Sequence, residues 1–202
     1  MQDDEFECLV ERSSAFVKWI GDSIHELEVE ANPKTELATS LLYVSLLHHS
    51  AIVHLFDWHG ATSALALLRP QLDAYIRGVW VRQVASEADV AAIQSHRIDL
   101  PMAKPAAAEL EASGLFDKDT LSKIVKANWS TLCDFTHAGI LISSGHYSNY
   151  EIKESHSVGL KVQALSQSNA WAAMALIDVY NHTSSPSKAD GVLSFYKKSF
   201  LE

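Results

Sequence analysis

Two short segments combine residue types that do chemistry with a spacing that brings them together. In Leu67-Leu68-Arg69-Pro70-Gln71-Leu72-Asp73-Ala74-Tyr75-Ile76-Arg77, the residues Arg69, Asp73 and Arg77 fall at i, i+4 and i+8 within an apolar run. On a helix this makes one stripe along the edge of the apolar arc. A guanidinium there needs a carboxylate, phosphate or carbonyl partner. Two readings are open: an Arg69–Asp73 ion pair that fixes packing, or an Arg69 that anchors an anionic ligand. In Trp129-Ser130-Thr131-Leu132-Cys133-Asp134-Phe135-Thr136-His137-Ala138-Gly139, the residues Ser130, Asp134 and His137 share a face at i, i+4 and i+7. His137 falls at a helix C-terminus, where a carboxylate or the helix dipole favours its protonated form. It reads either as a capping or core hydrogen-bonding group or as an acid–base group. Polar groups set into apolar runs are costly unless partnered. The ligand-binding candidates are therefore Arg69, Asp73, Arg77, Ser130 and His137, and the catalytic candidates are His137 and Ser130.

Familiar templates narrow the chemistry. Ser130, Asp134 and His137 on one helix face cannot form a triad, because the imidazole must meet the nucleophile with one nitrogen and the acid with the other. No GxSxG elbow occurs. Asp22-Ser23-Ile24-His25 and Asp134-Phe135-Thr136-His137 both read Asp-x-x-His. Di-iron bundles use Glu-x-x-His pairs with further carboxylates, for which Asp57 and Asp73 are available. Asp is shorter than Glu, and Asp73 already faces Arg69. The metal alternative rests on His25, Asp134 and His137, and no cofactor is expected. His48, His49, His54 and His59 scatter around one helix, with His48 toward the apolar arc, and no HExxH is present. GxxxxGK[ST] and GxGxxG are absent, so no standard nucleotide loop exists.

Composition sets the frame for these residues. The chain has 202 residues, 48% hydrophobic and 20% charged, as one globular domain should. A net charge of -9 disfavours an extended nucleic-acid surface or an anionic membrane, while leaving room for a small anionic ligand. Cys8 and Cys133 are far apart with no CxxC spacing, which fits a reduced, cytoplasmic protein. The acidic start, Met1-Gln2-Asp3-Asp4-Glu5, lacks a signal peptide's basic and apolar regions. The apolar stretch 37–58 is interrupted by Ser45, His48, His49, Ser50, His54 and Asp57, and reads as a buried helix rather than a membrane span.

Helical periodicity dominates. Helices are expected over about 4–30, from Thr35 to near Gly60, and over 62–85, where Pro70 should kink or break the helix at Leu68-Arg69. Ser86 opens a short helix to about His96, and Pro105 fits the first turn of another ending at Ala112. Asp117 or Asp119 caps a helix to Thr136, followed by an irregular loop over 140–154 with room for a short extended piece. A long helix then runs from Ser155 or Ser157 to Tyr180, and a C-terminal appendage over 185–202 holds a last short one. These elements make one all-α domain over 1–202, a four- or five-helix bundle with short additional helices.

The pairing of Arg69-Pro70-Gln71-Leu72-Asp73 with Trp129-Ser130-Thr131-Leu132 and the later His137 resembles a group of uncharacterised bacterial helical proteins. That group is similar to the HEPN superfamily (higher eukaryotes and prokaryotes nucleotide-binding). The resemblance implies a homodimer linked to toxin–antitoxin or phage-defence systems. Catalytic members carry Arg-x4–6-His, and none of Arg12, Arg69, Arg77, Arg82 and Arg97 has a His at that spacing. The expectation is thus a non-catalytic or regulatory bundle with an Arg/Asp/Ser/His cluster. The alternatives are an RNA or nucleotide phosphoester enzyme using Arg69 and His137, or a metal-dependent bundle.

Overall fold

The computed structural model describes residues 2–25, 27–29, 31–148, 151–181, 183 and 186–202. Among these the chain is all-α apart from one short hairpin. The order is α1 (Gln2–Ile24), α2 (Pro33–Asp57), α3 (Ala61–Gln83), α4 (Glu87–Gln94), α5 (Ala103–Ala112), α6 (Thr120–Thr136), α7 (Ile140–Ser144), β1 (Tyr147–Ser148), β2 (Glu151–Ile152), α8 (Val158–Tyr180) and α9 (Lys188–Phe200).

Local chemistry sets three of the helix starts among the described residues. The Asn32 side-chain oxygen accepts from the Thr35 N–H at 2.9 Å, and Pro33 sits in the first turn, where a missing N–H costs nothing. Helix α2 therefore begins ahead of Thr35. Ser86 and Asp89 form a reciprocal capping box on α4, and Ser157 caps α8. Helix α1 stops at Ile24, short of the expected 30. No basic residue occupies its last turn, and continuing would set Glu26, Glu28 and Glu30 against the negative pole of the helix. Val29 instead bridges Thr183.

Helix α2 is central, packed against α1, α3, α4 and α8, while α5 and α6 lie against α3. Gly78 lets α3 approach α2 closely, since a Cβ there would collide with the Leu42 side chain. Helix α2 is the one described helix long and apolar enough to cross a membrane by length and composition. Much of its apolar surface is directed inward, through Ala38, Leu42, Leu46, Ile52, Val53 and Phe56. His49 shares that three-to-four-residue rhythm and is fully buried, so the core histidine is His49 and not His48. Helix α9 docks through aromatic rings, with Trp19 and Phe195 stacked at 4.7 Å between centroids.

Two expectations are corrected. Of the kink or break expected at Pro70, the break does not occur, since α3 is continuous over Ala61–Gln83. Leu65, Leu68, Leu72 and Ile76, on both sides of the proline, are all buried, and each is worth about 1.5–3 kcal/mol against a cost of about 3 kcal/mol for proline. Pro70 also leaves the Ala66 carbonyl without its helical donor. The Thr136 hydroxyl, from α6, approaches that carbonyl at 3.3 Å while donating to Leu132 at 2.8 Å. The segment 140–154 holds a helix, α7, that was not expected beside its extended β1–β2 pair. Asp134 makes α7 possible: its carboxylate accepts from the N–H groups of Leu141 at 2.8 Å and Ile142 at 3.1 Å.

Candidate functional site

Arg69 projects from α3 next to the end of α6. Its Nη1–H donates to His137 Nε2 at 2.6 Å, across 68 residues of chain. A guanidinium offers only donors, so Nε2 must supply a lone pair and the ring proton must sit on Nδ1. His137 is thus neutral in this contact. The same guanidinium lies 3.7 Å from Asp73 through Nε and 4.8 Å from the centre of the Trp129 ring, a cation–π distance. Lys104 also approaches Trp129, at 5.3 Å. Arg77 donates to the Pro101 carbonyl at 2.9 Å.

These groups edge a cleft of about 400 Å³. Arg69, Asp73, Arg77, His48, Thr136 and His137 form its polar side, and Leu41, Val44, Pro70 and Ala74 its apolar side. Asp73 is the one acid among these residues. Burial raises its pKa against the pull of Arg77 and Arg69, and its Oδ1 is buried without a hydrogen-bond partner. Burial lowers the pKa of His48. The cleft thus combines two guanidinium groups with two imidazoles around one carboxylate, whose pKa burial raises.

Four of the five ligand-binding candidates, Arg69, Asp73, Arg77 and His137, come together here. Ser130 does not: it is exposed and lies outside the cleft lining. Ser130 and His137 do not share a helix face, because His137 is the C-cap of α6, with non-helical φ −110. Ala138 then adopts φ 53, and the chain turns away. Asp134 also leaves the cluster, since its carboxylate caps α7. Gly139 permits that approach, because a Cβ there would collide with the Asp134 carboxylate. His25 lines a separate groove between α1 and α2. His25, Asp134 and His137 are therefore not assembled as metal ligands, and no group of three His, Cys, Asp or Glu suited to a metal occurs among the described residues.

Sequence reasoning missed the contributions of His48 and Thr136 to this cleft. Both are ordinary residues until α2, α3 and α6 are packed. It also missed a second polar cluster. Glu154 accepts from the N–H groups of Thr62 at 2.6 Å and Ala61 at 3.2 Å, at the start of α3. The Thr62 hydroxyl donates to the same carboxylate. Having spent its one proton, it accepts from His146 Nε2 at 2.9 Å and His156 Nε2 at 3.0 Å. Burial pushes the pKa of Glu154 up, but the Thr62 and Ala61 hydrogen bonds bring it below its ordinary value. Each of these contacts is satisfied within the cluster, which fastens the segment before α8 to the start of α3.

No curated protein and no solved structure matches the chain. A family model does match, over residues 42–199, which takes in every residue of the cleft but Leu41. The chain belongs to DUF6988, a family of unknown function.

Proposed function

We propose that this protein binds a small phosphate-bearing anion in the Arg69–His137 cleft and acts as a regulatory helical bundle through that occupancy. The observation that carries this reading is the 2.6 Å Arg69–His137 contact at the edge of a cleft of about 400 Å³. A cation-rich cleft in a chain of net charge -9 is a local reversal of sign, and such a reversal favours an anion. Guanidinium groups match phosphate oxygens in pairs. The toxin–antitoxin or defence role and the homodimer implied by the HEPN resemblance belong to this proposal. The dimer is supported by large apolar side chains exposed on α2, Val44 at the cleft and Tyr43 and Leu47 elsewhere on the helix. Sedimentation of the purified chain as a monomer at tens of micromolar would remove it.

A phosphoester enzyme is the second reading, and one observation favours it. The neutral His137 presents a lone pair that Arg69 now occupies. A phosphate drawing Arg69 to itself would free that lone pair to take a proton from water or a ribose hydroxyl. The nucleophile's oxygen would then bond to phosphorus as the leaving oxygen departs, with charge spread onto the guanidinium. Calorimetry with inorganic phosphate and a nucleoside monophosphate, on wild type and Arg69→Ala, tests the site. Binding that Arg69→Ala removes supports it, and no binding to either ligand sinks both readings. Cleavage of a short RNA that disappears in His137→Ala, with binding retained, decides for the enzyme.

A further inference from the structure

We infer that the ligand of the Arg69–His137 cleft is a phosphomonoester of a polyol, one of whose hydroxyl groups donates to the Asp73 carboxylate, an inference that rests on the cleft being an anion site. Asp73 carries it. An acid in the wall of an anion site repels the ligand, and this acid is not quietened by hydrogen bonds. Its Oδ1 is buried and has no partner. Its Oδ2 lies 3.7 Å from Arg69 Nε, beyond hydrogen-bond length. Neither oxygen therefore accepts a hydrogen bond among the described residues. The side chain keeps 17% of its surface exposed and forms part of the cleft wall. With Oδ1 sealed, Oδ2 is the oxygen that a ligand meets. A carboxylate held partly out of water without donors is costly. A ligand that brings a donor removes that cost, whereas one that brings only negative charge adds to it.

The donor is a hydroxyl rather than an ammonium group. Arg69 and Arg77 lie one turn to either side of Asp73 on α3, and both charges act on its carboxylate. Arg77 is tethered there, since its Nε–H donates to the Pro101 carbonyl at 2.9 Å. An ammonium brought to Oδ2 meets two guanidinium groups of its own sign, while a hydroxyl donates without charge.

The rest of the ligand follows from the size and lining of the cleft. A volume of about 400 Å³ is far more than a phosphate ion fills, and it is ordinary for a small-molecule site. Leu41, Val44, Pro70 and Ala74 offer an apolar wall to a carbon skeleton. Phosphate oxygens on the outer guanidinium nitrogens of Arg69 stand several ångströms from Oδ2. A hydroxyl on the second or third carbon of the ester spans that gap. Free sugar phosphates and ribonucleotides share this pattern.

Calorimetric titration of the full chain with inorganic phosphate, glycerol phosphate, propyl phosphate and aminopropyl phosphate tests the inference. Propyl phosphate has the carbon count of glycerol phosphate and neither hydroxyl. Glycerol phosphate should bind about fivefold or more tightly than either other ester. Asp73→Ala should erase that preference and should tighten propyl phosphate, because the repulsion is gone. Should that variant fail to fold, the wild-type order of the three esters decides alone. Propyl or aminopropyl phosphate binding as tightly as glycerol phosphate overturns the inference and leaves the anion site standing. An unchanged preference in folded Asp73→Ala does the same. Binding of none of the four removes the anion site, and the inference with it. Ribose phosphate and adenosine monophosphate separate the two sources. Each should bind more tightly than propyl phosphate, and the tighter of the two names the source.

Discussion

Arg69 is fixed by three different interactions at once. Asp73 attracts it from one turn along α3, Trp129 offers a ring face, and His137 accepts its proton. The 3.7 Å distance to Asp73 is longer than a hydrogen bond, so the ion pair expected from the i, i+4 spacing is real but is not the residue's tightest contact. The spacing exposed the Asp73 partner because it lies within one helix. It could not expose His137, which depends on how α6 ends. A lysine at this position keeps the charge but loses the planar fork and its match to phosphate. Arg69→Lys should weaken phosphate binding about tenfold, read by calorimetry. It should lower stability by no more than about 1 kcal/mol, because the side chain is partly exposed and the ion pair is long. Unchanged affinity would mean that Arg69 supplies only charge.

At the scale of elements, legibility followed locality. The starts of α4 and α8 were readable because Ser86 and Ser157 cap them from within a few residues. The continuity of α3 was not, because Pro70 allows a break as well as a kink, and burial elsewhere overrides the break. The carbonyl that Pro70 orphans is met by Thr136, 70 residues from Ala66. No local pattern announces such a contact. Helix α7 was missed for the same reason, as its cap is Asp134 on the preceding helix. The Thr136 account makes a coupled prediction. Thr136→Val should cost about 0.5–1 kcal/mol, since Ala66 loses the hydroxyl that Leu132 shares with it. In a Pro70→Ala background residue 70 regains an N–H for Ala66, and the same change should cost nearly nothing. A double-mutant cycle by urea unfolding measures the difference. Equal costs in both backgrounds would show that Thr136 does not serve the proline-orphaned carbonyl.

Across the whole molecule, two buried ionisable groups among the described residues, His49 and Asp178, have opposing effects on stability. His49 titrates at about 3 in the folded chain and near 6.5 when unfolded. Between those values the unfolded chain binds the extra proton, so stability falls as pH is lowered. Its contribution is whole above about 6.5 and lost as pH drops through about 3. Asp178 is the reverse case. Burial raises its pKa to about 6, against the attraction of Arg82 and the hydrogen bonds of Tyr75 and Asn181. Unfolded, it titrates near 3.9. Here the folded chain holds the proton, so its contribution is whole below about 3.9 and lost as pH rises through about 6. Each slope is about 1.4 kcal/mol per pH unit, and between about pH 4 and 6 they cancel. Unfolding free energies measured at pH 4, 5 and 6 should therefore contain little net contribution from this pair in wild type. Asp178→Asn keeps an acceptor for Tyr75 and removes the opposing slope. Relative to wild type, it should gain stability as pH rises from 4 to 6, by up to about 3 kcal/mol. Taking the difference between the two proteins cancels every other titrating group. A difference that stays flat across that range would show that Asp178 is ionised in the folded chain, with Arg82 outweighing its burial.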